Sequence, residues 1–170
     1  YAVTWAFGHL FSLADVEEYS PPPNGKARWT MDNLPCFPKE FRYNLKSGPD
    51  KKPDEGVIRQ FRVITDLCKR ADVDTVINAG DSDREGEIIV RTCVSEAFDG
   101  AIPKPFKRLW LPDQTSQTIL AALDDLPDES NYDNLAREGY ARTYIDWLYG
   151  VNLTRYATLK TGTLLRVGRV

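Results

Sequence analysis

Asn78-Ala79-Gly80-Asp81-Ser82-Asp83-Arg84-Glu85-Gly86-Glu87 concentrates charge and glycine in the middle of the chain. Asp81 and Asp83 stand two apart, so in an extended turn their carboxylates converge, and Glu85 follows at the start of the next element. Carboxylates held this close repel one another unless a cation is present. Magnesium suits them, because it takes hard oxygen ligands, keeps several waters and bridges carboxylates to a phosphate. Gly80 and Gly86 allow close approach of backbone and phosphate, and the Arg84 guanidinium matches two phosphate oxygens. Helix chemistry alone accounts for part of the pattern. Ser82 with Glu85 reads as a capping box, and Glu85 and Glu87 in a first turn favour the helix dipole. Those rules leave Asp81, Asp83 and the two glycines unexplained.

The surrounding pattern says what must hold this turn. Val57, Phe61, Ile64 and Cys68 fall on one face of a helix predicted over residues 57–71. Residues 74–79 read as a short buried strand, 80–83 as a turn, and 84–98 as a helix with Ile88, Ile89, Val90, Val94 and Phe98 as apolar positions. A strand over 106–111 and a helix over 115–126 follow, the latter with Ile119, Leu120 and Leu123 facing inward. Ser130 and Asp133 mark a cap that opens a long helix to about Tyr149. Helix and strand alternate from 57 to 126, which predicts an α/β fold with a Rossmann-like parallel sheet and right-handed crossovers. Ligands of such sheets sit beyond the carboxyl ends of the strands, where Asp81 and Asp83 lie. Upstream, residues 1–7 read as a strand. Residues 20–53 read as a long Pro- and Gly-rich loop with an extended piece at 41–45, too long for a plain connector.

Bulk properties exclude several classes. Hydrophobic residues make up 42% and charged residues 28% of 170, enough for a globular core. No apolar run approaches the roughly 20 residues of a membrane span, and no signal-type stretch opens the chain. With Tyr1 first, we expect an internal piece of a cytoplasmic protein. Cys36, Cys68 and Cys93 are odd in number and far apart, with no CxxC pair, so buried reduced thiols are expected and not a zinc site or disulfide framework. The net charge of −3 argues against a general nucleic-acid binder. The distribution is uneven, however. Residues 150–170 contain Arg155, Lys160, Arg166 and Arg169 and no acid, a tail of +4 that charge alone reads as a solvated face.

Gly80-Asp81-Ser82-Asp83-Arg84-Glu85-Gly86-Glu87 resembles the DxDxEGE-type signature of the Toprim domain in type IA DNA topoisomerases. Other segments carry the same resemblance in order along nearly the whole chain: Thr4-Trp5-Ala6-Phe7-Gly8-His9-Leu10, then Ala27-Arg28-Trp29 to Leu34-Pro35 and Pro38. Ala141-Arg142-Thr143-Tyr144-Ile145-Asp146-Trp147-Leu148-Tyr149-Gly150 is similar to the family's ARxxxDWLxG helix. Asn152-Leu153-Thr154-Arg155 and Val167-Gly168-Arg169-Val170 follow. The forms Ala27-Arg28-Trp29 and Asp146-Trp147-Leu148-Tyr149-Gly150 are topoisomerase III-like.

The resemblance implies a Toprim domain over 1–128, its first strand missing, and the start of a mainly helical central DNA-binding domain over 129–170. It implies Mg2+ at Asp81, Asp83 and Glu85, with Glu85, His9 and Arg142 in catalytic positions. His9, the only histidine, matches the family's GHL histidine. Arg84, Arg142, Asp146, Arg155 and Arg169 are implied as DNA contacts, Asp146 orienting Arg142 from four residues away, a spacing that also makes an ordinary helical ion pair. Arg166 departs from the small hydroxyl residue common in relatives. The expected activity is magnesium-dependent, ATP-independent cleavage and rejoining of one DNA strand through a 5′-phosphotyrosine. The expected partners are single-stranded DNA and further domains of the same polypeptide, in a monomer without membrane attachment. The family's first glutamate lies upstream of this chain and its nucleophilic tyrosine downstream, so the 170 residues alone are expected to be inactive. Tyr140, Tyr144, Tyr149 and Tyr156 read as packing or groove residues. A non-catalytic single-stranded DNA-binding Toprim module and a Toprim primase or nuclease are the alternatives; the latter lack the ARxxxDWLxG and GRV segments.

Overall fold

A computed structural model describes residues 1–19, 29–48, 52 and 54–168. The expectations for Pro21 to Arg28, Pro49, Arg169 and Val170 fall outside them. The elements, in chain order, are β1 (Phe11–Leu13), α1 (Val16–Tyr19), β2 (Tyr43–Leu45), α2 (Glu55–Lys69), β3 (Val76–Asn78), α3 (Arg84–Ala97), β4 (Phe106–Arg108), α4 (Ser116–Asp124) and α5 (Asp133–Thr161). Short 3₁₀ turns cover Met31–Asn33 and Glu129–Tyr132. No helix among the described residues is long and apolar enough to cross a membrane.

Packing divides the chain into two compact units, Tyr1–Ser12 with Leu45–Tyr140, and Leu13–Asn44 with Ala141–Val170. The first is built on the predicted alternation. β3 and β4 pair in parallel, with Val76 opposite Phe106, Ile77 opposite Lys107 and Asn78 opposite Arg108. α3 connects them. Asp54 caps α2 by accepting from the amides of Gly56 and Val57, and Val57, Ile64 and Cys68 form its buried face. α3 answers with Ile88, Cys93, Val94 and Ala97. The three cysteines are free and buried, and burial pushes the Cys93 thiol up to about 12. Gly139 on α5 sits where a Cβ would come within 2.6 Å of the Ile88 side chain and 2.9 Å of the Arg84 carbonyl.

In the second unit, the aromatic residues of α5 make the packing. Tyr144 stacks on Phe41 at 4.2 Å, and Trp147 meets Phe41 and Tyr19 edge-on. The Trp147 indole donates to the Ala14 carbonyl at 3.1 Å. Asn152 pairs with both main-chain groups of Cys36, at 2.7 and 3.0 Å.

Four local expectations are corrected. Residues 1–7 form no strand; a strand needs a ladder partner, and here the Gln60 side chain donates instead to the Thr4 hydroxyl and the Trp5 carbonyl. α5 does not end near Tyr149. It passes through Gly150 and stops at Gly162, whose φ of +70° is the left-handed conformation that closes helices. α5 also begins at Asp133, after a 3₁₀ turn, and is not opened by a Ser130 cap. On α4, Leu120 is 65% exposed. Ile119 and Leu123, four apart, share the half-buried stripe, and Leu120 stands about 100° round from Ile119.

Candidate active site

The chain leaves β3 at Asn78 and folds straight back over the first turn of α3. The two glycines make this possible. A Cβ on Gly80 would lie 2.4 Å from the Gly86 carbonyl oxygen, and one on Gly86 would lie 2.5 Å from the Asp81 amide nitrogen. What approaches at these glycines is the turn's own backbone.

Asp83, and not Ser82, caps α3: its carboxylate accepts from the Gly86 amide at 2.7 Å. Ser82 instead exchanges two hydrogen bonds with Leu111, donating to its carbonyl at 2.7 Å and accepting from its amide at 2.9 Å. The turn is thereby tied to the segment that follows β4. Asp81 lies exposed on the outer side. His9 Nε2 lies 2.6 Å from Glu85 Oε1, so the lone histidine and the third acid share a hydrogen bond. Arg84 pairs with Glu138 of α5. The second unit holds Arg142 and Asp146, an i, i+4 pair at 3.9 Å. It also holds Arg155, which is 6% exposed and donates to Asp15 at 2.7 Å and Glu17 at 2.9 Å. The guanidinium of Arg155 is thus engaged inside the unit, over the Trp29 ring, and does not lie on a free basic face. Burial, the largest single influence, would raise the Glu17 carboxyl, but the hydrogen bond and charge of Arg155, with a backbone hydrogen bond and Asp15, together outweigh it and hold the carboxyl below the ordinary range.

Beneath the turn lies a buried polar network. Asn78, Glu87 and Arg108 are fully buried and Glu129 is 4% exposed. The Asn78 amide donates to Glu129 at 2.8 Å and to Glu87 at 3.3 Å. Arg91 donates to Glu87, Asp133 and the Glu129 carbonyl at 2.9, 2.7 and 2.7 Å. Arg108 Nε faces Glu87 Oε2 at 2.9 Å, an ion pair off the angle of a hydrogen bond. Burial, reinforced by the neighbouring Glu87, pushes the Glu129 carboxyl up to about 7. Glu87 therefore does more than complement the helix dipole. Sequence reasoning missed Asn78, Arg91, Arg108 and Glu129. The available signals were the i, i+4 spacing of Glu87 and Arg91 and a charged residue in a strand of a parallel sheet, where both faces are covered.

The turn's acids suit a hard cation. Among the described residues no three His, Cys, Asp or Glu side chains form a closed cluster. Magnesium, however, binds through one or two carboxylates plus waters and substrate phosphate, not an all-protein cage. Asp81 is exposed, and Asp83 uses one oxygen for the cap and keeps the other. That donor chemistry fits.

The Toprim domain family matches residues 1–113, two thirds of the sequence and the whole of this turn. The chain belongs to the Toprim family. Over its full length it is also similar to bacterial proteins named DNA topoisomerase 3. It is 34% identical over 170 residues to that of Staphylococcus epidermidis and 35% identical over 172 residues to that of Bacillus subtilis. The Bacillus anthracis protein is 34% identical over 170 residues. Each match covers 100% of this chain and 21–22% of the relative, so the Toprim chain spans about a fifth of the length of these relatives.

Proposed function

We propose that this Toprim chain belongs to a topoisomerase that breaks and rejoins one DNA strand, with magnesium and without ATP. The observation that carries the reading is the acidic turn at the carboxyl end of β3, with Asp81 exposed and His9 bonded to Glu85. The similarity to topoisomerase 3 proteins supports it, because it continues past residue 113 through α5.

Asp81 and Asp83, assisted by Glu85, would hold the magnesium, which would supply charge neutralisation and orientation at the scissile phosphate. Glu85 and His9 hold a proton between Oε1 and Nε2, available to an oxygen leaving phosphorus. Arg84 exchanges Glu138 for a phosphate. Arg142 contacts the DNA backbone, with Asp146 fixing its orientation, and Arg169 adds a contact by resemblance. Residues 129–170 read as the start of the DNA-binding domain. The substrate is single-stranded DNA, tracked without sequence preference, and the protein is a cytoplasmic monomer. The nucleophile is a tyrosine on a part of the polypeptide outside these residues; transesterification to it conserves bond energy, so resealing needs no ATP.

The test is the double variant Asp81→Asn, Asp83→Asn in the full-length protein. Asparagine caps a helix about as well as aspartate, so stability stays level. Magnesium affinity by calorimetry and covalent trapping of labelled single-stranded DNA should both fall by at least about tenfold. Unchanged magnesium affinity would place the metal elsewhere.

A further inference from the structure

Arg108 is the largest fully buried side chain among the described residues, and its ionic partner, Glu87, is equally buried. A buried pair of charges is not what a core requires. An apolar pair of like volume is often as stable or more so. What an apolar pair cannot do is donate hydrogen bonds, and the Arg108 guanidinium reaches four main-chain carbonyls, one Nη1 hydrogen being shared between two of them. Nη1 reaches Asn78, Gly80 and Leu109 at 3.1, 2.9 and 2.9 Å, and Nη2 reaches Asp81 at 2.8 Å. Three of the four carbonyls belong to the segment that turns from β3 into the acidic motif. Asn78 ends the ladder, its carbonyl also accepting from the Leu109 amide at 2.8 Å, whereas Gly80 and Asp81 lie beyond β3, so their carbonyls need a donor from outside the ladder. The guanidinium carbon lies over the Trp110 ring, 4.9 Å from its centroid, and 5.8 Å from that of Tyr132. Glu87 anchors its far side.

We infer that Arg108 is the positioning residue of the site: from beneath the turn it fixes the backbone of residues 78–81 and so sets where the Asp81 carboxylate stands, while its charge offsets the repulsion of Asp81, Asp83 and Glu85. The inference rests on the reading of Asp81 as a magnesium ligand. The planar fork of arginine spans the carbonyls of residues 78–81 and that of Leu109 just after β4, and a lysine ammonium concentrates its donors at one point. A change of charge is therefore not the whole effect; Arg108→Lys keeps the charge and loses the span.

The experiment uses the full-length protein and magnesium chloride alone as the probe, read by calorimetry, with thermal melting alongside. Arg108→Lys should weaken magnesium binding about 10- to 100-fold, the range seen when groups that orient metal ligands are lost. Removing Arg108 singly takes the cation from Oε2 of the buried Glu87 and leaves only the Arg91 cation, at Oε1, so the second variant is Glu87→Leu with Arg108→Met, in which Arg91 keeps Asp133 and the Glu129 carbonyl. It removes both charges and should melt no lower than the wild type, yet it should bind magnesium as weakly as Arg108→Lys. Wild-type magnesium affinity in that folded double variant would overturn the inference and leave Arg108 a core residue. Asp81→Asn separates the two readings. If it binds magnesium normally, the metal assignment falls and the positioning role falls with it. If it weakens binding and the Arg108 variants do not, only the positioning role is lost.

Discussion

Glu129 sits between Asn78, Glu87 and Arg91 with one carboxyl oxygen lacking a hydrogen-bond partner among the described residues. Desolvation and Glu87 raise its carboxyl from an ordinary 4.5 to about 7, against the opposing pull of Asn78 and Arg91. An acid whose pKa rises on folding contributes stability that is complete below its unfolded value and is lost as pH climbs through the folded one. Here that window runs from 4.5 to about 7. Glu129→Gln, uncharged at every pH and able to donate toward Glu87, should therefore melt roughly 3–8 °C above the wild type at pH 8. At pH 4.5 the two should coincide. A variant less stable at pH 8 would mean that the charged carboxylate is needed by Arg91. At this scale the sequence was legible where local spacing carries the signal. Asp81, Asp83 and Glu85 share one motif, and the structure adds His9 to Glu85 by a bond across 76 residues. The network beneath was not legible, because Asn78, Arg108 and Glu129 meet only after the chain has folded.

At the scale of elements, the β3–α3–β4 unit follows from hydrophobic periodicity, and it is this unit that presents the acidic turn. Periodicity is silent about two other features. It cannot say whether an extended run such as residues 1–7 finds a ladder partner. Nor can it tell a glycine that ends a helix from one the helix passes through, and so α5 outran its expected end near Tyr149, passed through Gly150 and closed at Gly162. The same distinction makes a paired prediction. A Cβ at Gly86 meets the Asp81 backbone at 2.5 Å, whereas one at Gly150 meets nothing within 4 Å. Backbone cannot yield as a side-chain tip does, so Gly86→Ala should destabilise by about 1–3 kcal/mol and displace the turn, weakening magnesium binding as well. Gly150→Ala should stabilise by roughly 0.5–1 kcal/mol, the ordinary gain of alanine inside a helix. Urea unfolding of the two variants reads both signs. If they moved together, the close packing of the turn on α3 would be wrong.

At the scale of the whole molecule the issue is charge, because a chain of net −3 is read as holding DNA. The sequence locates +4 in residues 150–170, but the structure divides that charge by environment. Arg155 is internal, neutralised by Asp15 and Glu17, whereas Lys160 and Arg166 are exposed. Linear sequence shows that the tail lacks acids of its own; it cannot show that Asp15 and Glu17 return from 140 and 138 positions away to pair with one of its cations. Each exposed cation that neutralises a phosphate of single-stranded DNA contributes about 0.7 to the slope of log affinity against log salt. Lys160→Ala with Arg166→Ala should therefore flatten the slope by about 1.4, measured by anisotropy of a labelled oligothymidylate in the absence of magnesium. Arg155→Ala should behave differently. It removes the partner of two carboxylates and costs about 1–3 kcal/mol of stability, while leaving the salt slope where it was. The loss should be largest near neutral pH and shrink as pH falls and Glu17, held below its ordinary range by Arg155, takes up its proton. A salt slope that fell with Arg155→Ala and stayed fixed with the Lys160 and Arg166 pair would reverse the assignment, making Arg155 the DNA contact and the exposed pair a solvated surface.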